Sequence, residues 1–493
     1  MKTFSFWQQF WNQFKKHTLG YTALWVVFAF AIVAIYAPFL ASSKPLFVVY
    51  DGTPYFPLFS YLFYPKFFSK NLDIFYNLLI FILPLGLLAS HWFKYRFVIP
   101  AMAALQIGLF ASLLMFPVSN PAKGLPQSSF SPQAHTWQNE LSQLSPYGKL
   151  NLLLEYQREK AIGLSVESTL AKHQQSPLSP LLKLIPTLWH MNYQRDLQKL
   201  QKKEVLLQQT EGLAPSTHAQ DELEAIAYIE ERNQWLEENS LKLRFELSPL
   251  LSSYHWEDDA AGSAQLNQYL PWWQMSRINQ KSLLAALIFG TRISLVVGIL
   301  AVAIALSIAV PIGAMAGYYG GKIDIIICRV LEVWESMPTF FMLLLIIAVT
   351  QSKSIFLVIS VIGLFGWTGF SRFLRGEFLK QRNLPYVEAC HALGYSTPYI
   401  IFTHILPNSI PPLLTLLPFA IMGAIGSESG LSFLGLGEEG SCSWGVLMDE
   451  GRSSFPAQSS LLWPPAFLLT VLLVSIALVG DALRDTLDPK LHR

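Results

Sequence analysis

Five stretches in the C-terminal half of this chain run without a single Asp, Glu, Lys or Arg: residues 293–321, 336–352, 354–371, 405–427 and 453–480. Crossing a hydrocarbon core of ~30 Å takes about 20 apolar residues in a helix. Residues 19–41, 74–90 and 97–116 add three more such windows. Lipid offers backbone groups no hydrogen bonds, so helices are the expected form, and the windows together predict eight spans in an all-α polytopic membrane protein. Composition agrees, with 52% of the 493 residues hydrophobic and 14% charged, against about 25% charged in soluble domains. A formal net charge of only +2 gives no field for nucleic acid to follow, so no nucleic-acid partner is expected.

The first window carries a basic flank, as a signal peptide would, but it is long enough to span, and Phe39 spoils a small-x-small cleavage site. It is expected to stay as a first transmembrane helix at 19–42 behind a cytoplasmic N-terminus at 1–18. Lys and Arg in short loops resist translocation. Lys94 and Arg96, Lys322 and Arg329, and Arg372, Arg375, Lys380 and Arg382 all fall on one side by this count, against Lys353 alone in the short turn opposite. Both termini are therefore expected in the cytoplasm, and residues 383–407 in a cytoplasmic loop between spans six and seven. Residues 73–118 read as a transmembrane hairpin. Residues 119–281 read as a mostly helical extracytoplasmic insert, in which "NYQRDLQKLQKKEVLLQQTEG" and "AQDELEAIAYIEERNQWLEENSLKLRFEL" suggest two amphipathic helices. They form either a solvated pair or a docking site. Cys328, Cys390 and Cys442 are too scattered for a disulfide framework or a zinc site.

"YVEACHALGYSTPYIIFTHILPNSIPPLL", Tyr386 to Leu414, is polar and punctuated in its first half although the chain around it is apolar. Pro385 supplies a helix start, Tyr386, Ala389, Cys390 and Leu393 share one face, and Gly394 is a natural stop. Thr397 and Pro398 read as an N-cap and first-turn pair opening a second helix that ends near Pro407. The product is two short helices joined at an elbow. An apolar face on such a helix is buried either in the membrane interface or in a groove of another protein, and spacing leaves both open.

"EACHALG" followed by "IIFTHILPN" resembles the EAA loop of ABC importer permeases. "GTRISLVVGILAVAIALSIAVPIGAMAGYYGGKID", "WTGFSRFLRGEFL", "LSFLGLGEEGSCSWGVLMDEGR" and "VGDALRDTLDPK" are similar, in order, to the dipeptide/oligopeptide/nickel permease family, second-subunit type. "KPLFVVYDGTPYFP" resembles the branch serving oligopeptides and microcin C-like antibiotics. The resemblance implies a type I ABC transporter transmembrane domain (MetI-like) at 287–485, with an EAA coupling loop at 383–407, in the cytoplasmic (inner) membrane. It also implies partners: a second permease subunit forming a heterodimer, two cytoplasmic ATPase subunits holding ATP and Mg, and an external substrate-binding protein, all around membrane lipid. Coupling to the ATPase would fall to Tyr386, Glu388, Ala389, Leu393, Gly394 and Pro398, with Glu388 in polar contact. Cys390 stands where the family has a second alanine. The lead-in "NQYLPWWQMSRINQKSLLAALIFGTRISL" keeps only the second half of the family's usual segment, and the hairpin and insert are additions to its six spans.

The chain has no GxxxxGK[ST] phosphate loop, since "GYYGGKID" has the wrong spacing, and no HExxH or GxSxG. No enzymatic activity, resident cofactor or metal is expected in it. Glu428 is an acid near hydrocarbon, which is costly, and belongs either to the translocation path or to a hydrogen-bonded helix end. Glu332 pairs with Arg329 at i, i+3. Gly290, Gly298, Gly313 and Gly317 are expected to let helices pack closely. The turn at 318–321, "YYGG", reads as a span end. Two other readings stay open: a permease for nickel or another small solute, and a membrane scaffold or receptor acting through the outer insert.

Overall fold

The computed structural model describes residues 6–65, 67, 71–122, 137–157, 202, 217–251, 282–438, 440–453 and 461–487. Helix α1, Phe6–Phe14, precedes α2, Thr18–Ile35. The first span thus ends earlier than the expected 42: Pro38 lies within the first two positions of a separate short helix, α3, Ala37–Leu40. Strands β1, Phe47–Tyr50, and β2, Thr53–Tyr55, are followed by α4, Pro57–Tyr61. Two apolar helices come next, α5, Asn71–Trp92, and α6, Tyr95–Met115, then α7, Trp137–Gln143, and α8, Thr217–Ser240. Strand β3, Leu243–Leu247, leads on towards the long α9, Leu283–Tyr319.

After α9 come α10, Gly321–Glu335, α11, Thr339–Thr350, and α12, Ile355–Gln381. The elbow consists of α13, Pro385–Ala392, then α14, Thr397–Tyr399, a π-helical turn at Ile400–Ile405, and α15, Leu406–Leu414. Helix α16, Leu417–Leu431, runs into a second π turn, Ser432–Leu436, followed by α17, Trp444–Ser453, and α18, Trp463–Leu487.

Among the described residues, seven helices are long and apolar enough to cross a membrane, and eight spans result if the bent pair α10 and α11 is one. Two expected windows differ from this. Residues 336–352 are no span of their own: α11 is the second limb of a pair bent by 69°. The bend sits at Pro338, the N-cap of α11, because proline has no N–H to continue the ladder. Residues 405–427 form two helices, α15 and α16, broken at Thr415 and Leu416 after the pair Pro411 and Pro412.

The chain divides into two compact units. One runs from Ile35 to Ile288 with 456–458. Here the expectation of helix throughout the second insert segment fails at its end. Leu243–Leu247 is a strand that pairs with β1, giving a three-stranded antiparallel sheet in the order β2-β1-β3. β1 and β2 are joined by Asp51 and Gly52, both at positive φ (50° and 76°), the two-residue hairpin turn that Asp-Gly favours. The segment at 192–212 lies, apart from residue 202, outside the described residues. α5 and α6 pack as a hairpin in which Gln106 Nε2 donates to the Phe75 carbonyl at 2.8 Å and Phe110 meets the Phe75 ring edge-on. Trp137 is buried against Tyr228 and Trp235 of α8.

The other unit holds residues 1–34, 289–455 and 459–493. Its framework is the crossing of α9 and α12. A Cβ on Gly313 would lie 2.7 Å from the Ser371 carbonyl oxygen, and one on Gly317 2.5 Å from the Phe378 Cβ, so the two backbones touch where a side chain would part them. Gly298 admits Ile421 and Ile425 of α16 in the same way, and Gly290 admits Cys442 and Trp444. Small residues at helix crossings suit a lipid-embedded bundle, whose association rests on van der Waals packing. Around this crossing Val302, Trp367, Phe370, Leu374 and Phe378 form a buried core that also takes in Val387, Cys390, Ile400 and Ile405 of the elbow.

Candidate functional site

α12 ends at Gln381, the backbone turns extended at Leu384 (φ −87°, ψ 147°), and Pro385 opens α13 at a position where its missing N–H costs nothing. Val387 and Cys390 are buried, 1% and 7% exposed, and Tyr386 is half-buried with its hydroxyl donating to Gln381 Oε1 at 2.8 Å. Glu388, Ala389 and Leu393 are exposed, Leu393 at 73%. The face read from spacing is therefore divided: Tyr386 and Cys390 turn onto the core together with Val387, while Ala389 and Leu393 stay on the outside.

Gly394 has φ +77°, and open space surrounds the place of its absent Cβ. The Gly394 N–H donates to the His391 carbonyl at 3.0 Å and the Tyr395 N–H to the Cys390 carbonyl at 3.1 Å. This is the Schellman closure that satisfies the last carbonyls of a helix and requires a left-handed residue. Ser396, and not Thr397, is the N-cap of the next helix, with Pro398 in its first turn.

The second helix does not end near Pro407. In the π turn the Leu406 N–H reaches back to the Ile401 carbonyl, and α15 continues to Leu414. A proline inside a regular α-helix clashes with the carbonyl four residues earlier. The wider π turn just before Pro407 relieves that clash, and Asn408 Nδ2 and the Ser409 hydroxyl donate to the His404 and Ile405 carbonyls, both at 2.9 Å.

One contact joins the elbow itself to a long helix, and two more tie together the helices from which it springs. Arg382 Nη1 donates to the Tyr318 carbonyl at 3.0 Å, at the end of α9. The Tyr318 hydroxyl lies 3.3 Å from His391 Nε2 on α13. Arg375 of α12 grips Asp324 of α10 through two N–H groups, Nη2 to Oδ2 at 2.6 Å. Outward, the elbow presents Glu388, Leu393, Tyr399 and Phe402, the last 68% exposed. The Tyr395 and Tyr399 rings meet at a tilt, their centroids 5.0 Å apart, with His404 beside them.

Glu428 is 2% exposed. Its Oε1 accepts from the Ser432 hydroxyl at 2.8 Å and the Ser443 hydroxyl at 2.7 Å, and Ser429 donates to Oε2 at 3.3 Å. A cavity of about 600 Å³ lies beside α16, lined by Ala305, Phe340, Phe370, Gly423, Ser427 and Leu434 among others, with no charged side chain and no Glu428. The acid ties α16 to the segment before α17, and the neighbouring face of the helix meets the cavity. Glu332 accepts from Arg329 at 2.6 Å as expected. Among the described residues no three His, Cys, Asp or Glu side chains converge as a metal site.

Residues 309–493 match the family described as binding-protein-dependent transport system inner membrane component, and residues 5–57 match the N-terminal TM domain of oligopeptide transport permease C. The chain is similar to the inner membrane ABC transporter permease protein YejE of Escherichia coli (strain K12), 38% identical over 44% of this chain and 63% of the relative. It is similar to the oligopeptide transport system permease protein OppC of Haemophilus influenzae, 39% identical over 43% of this chain and 68% of the relative. With OppC of Escherichia coli (strain K12) it shares 34% identity over 50% of this chain and 82% of the relative. The chain thus spans less than two thirds of the length of the first of these relatives.

Proposed function

The chain belongs to the family of inner membrane components of binding-protein-dependent transport systems, and on that premise we propose that it is the permease subunit of an ATP-driven importer of di- and oligopeptides. Two of the relatives that share its core are oligopeptide permeases by name, and the chain's own elbow supports an energy-coupling role. One face of α13 is sunk into the core shared by α9 and α12, while Glu388, Ala389 and Leu393 face outward. A partner gripping the outer side would transmit displacement through Val387 and Cys390 to both long helices, since a packed core moves as a body.

In this reading two cytoplasmic ATPase subunits, which carry ATP and Mg, hold the elbows of this chain and of a second permease subunit. Their closure shifts the pair between inward- and outward-open states by alternating access. An external binding protein delivers the peptide. This reading puts the elbow and both termini in the cytoplasm, the side that the Lys and Arg in the short loops favour. The path is assigned to the cavity beside Gly423 and Ser427, and Glu428 to holding the wall behind it. Uncharged lining suits peptides that differ in side-chain charge, and it offers no ligand for nickel.

The observation that carries this reading is the exposure of Glu388 on a helix whose opposite face is locked into the core. Glu388→Lys is expected to abolish peptide uptake while leaving membrane insertion and the ATPases' basal hydrolysis intact. Undiminished uptake by this variant, measured with a labelled peptide in vesicles, would defeat the assignment.

A further inference from the structure

The first apolar helix of the hairpin, α5, shares its outer surface with a layer of phenylalanines that belongs to no span. Twenty-two residues rise about 33 Å, enough for the ~30 Å hydrocarbon core. Asp73 stands in the first turn of α5, and no Asp, Glu, Lys or Arg follows it before Lys94. The lipid boundary at this end of the helix therefore lies near Asp73. Below it, fully buried Asn77 donates from Nδ2 to the Leu62 carbonyl at 2.8 Å, and the Phe81 ring meets the Phe63 ring at 5.9 Å. Along the helix these residues lie about 6 and 12 Å from Asp73. α4 and the turn after it are thus held alongside α5 at hydrocarbon depth.

The aromatic surface continues from there to the sheet. Phe59, four residues before Phe63, meets Phe39 at 5.7 Å and Phe56 at 6.3 Å; Phe56 meets Phe47 of β1 at 5.2 Å, and Phe47 meets Phe245 of β3 at 5.9 Å. Leu247 lies directly opposite Phe47 in the ladder, so the two share one face. Phe245 is the extra residue where the β1–β3 register shifts, at φ +36°, and such a bulge re-aims a side chain. Phe56, Phe59 and Phe245 are 48%, 40% and 68% exposed. A sheet standing in water is expected to bury rings of this size.

We propose that Phe47, Phe56, Phe59 and Phe245, with Leu247, form a foot that seats the three-stranded sheet in the phospholipid interface at the Asp73 end of α5. The occupant is lipid because the patch is continuous with the exposed side of a membrane span: Phe81, 44% exposed on α5, touches Phe63, and the chain of rings leads from there to Phe245. Aromatic side chains at the boundary between headgroups and acyl chains bury apolar area without crossing the bilayer. The inference goes beyond the importer reading and needs only that α5 spans, so a failure of peptide uptake leaves it standing.

The test places a nitroxide on Phe245→Cys in the full chain, with Cys328, Cys390 and Cys442 replaced by Ala, reconstituted in vesicles of phosphatidylethanolamine and phosphatidylglycerol. Oxygen concentrates in the bilayer and a nickel chelate stays in water, so the ratio of their collisions with the label reads its depth. Leu85→Cys, half exposed within α5, is the lipid reference, and Glu231→Cys, an exposed carboxylate position on α8, is the water reference. The oxygen-to-chelate ratio at Phe245 is expected to be severalfold above that at Glu231, approaching that at Leu85. Phe56→Cys repeats the reading at a position outside the bulge, where the label disturbs no strand. A ratio at both positions no higher than at Glu231 overturns the foot and puts the sheet in water. Labels shut off from both reagents overturn it as well, since the cover is then protein, a second copy or another partner.

Discussion

Replacing Gly394 with alanine tests the elbow at one atom. The residue sits at φ +77° with nothing within 4 Å of the place a Cβ would take, so the substitution creates no clash and its effect is purely conformational. Placing an L side chain in the left-handed region costs about 1–2 kcal/mol. That cost falls on the turn whose two hydrogen bonds, from Gly394 to His391 and from Tyr395 to Cys390, close α13. A penalty of that size shifts an equilibrium about 5- to 30-fold, here away from the closed turn. Peptide uptake into vesicles holding the assembled importer is expected to drop by about that factor while ATP hydrolysis continues. Asn, which tolerates left-handed backbone, should fall between Gly and Ala. Gly376→Ala is the control: it lies inside α12 with open space around it, where alanine is favoured by roughly 0.5–1 kcal/mol, and uptake should be unchanged. Wild-type uptake by the Gly394→Ala variant would refute the role given to the turn.

Other substitutions separate the framework from the elbow. Val387→Asp places a carboxylate in a 1% exposed site among Phe378, Leu374 and Ile400; the burial cost of several kcal/mol should detach α13, seen as protease cleavage near 383–396 with the spans intact. Gly317→Leu, whose Cβ would meet the Phe378 Cβ and the Arg375 carbonyl, should part α9 from α12 and lower the melting temperature of the purified protein, while Gly369→Leu, in open space, should not. Glu428→Ala leaves three serine hydroxyls without their acceptor and should cost about 2–4 kcal/mol of stability; Glu428→Gln keeps an acceptor oxygen and should recover more than half of that in thermal unfolding.

The elbow divides cleanly into what residue order reveals and what it leaves open. Pro385, Gly394 and Pro398 act through their own backbone chemistry, so the two-helix turn is legible locally. Which face of α13 turns inward is not: Tyr386 and Cys390 belong equally to a stripe completed by Leu393 and to one completed by Val387, and the choice falls to where Phe378 and Leu374 stand on another helix. Pro407 misleads for a related reason, since a proline ends a regular helix but not one widened by a π turn just before it. The hairpin at Asp51 and Gly52 had a local signal, an Asp-Gly pair between "FVVY" and "TPYF". Its third strand, Leu243–Leu247, had none, because the residues that make it a strand are about two hundred positions away in β1.

Residue order by itself determined that the chain is a bundle of membrane helices with a punctuated elbow, because lipid tolerates only uncharged helical runs and proline and glycine act on the backbone where they stand. Tertiary structure alone decided that Glu428 answers to Ser443 and that Gly313 and Gly317 meet α12. Each of these depends on which distant surfaces arrive within a few ångströms, and a side chain's neighbours across a helix crossing leave no mark on the spacing of its neighbours in sequence.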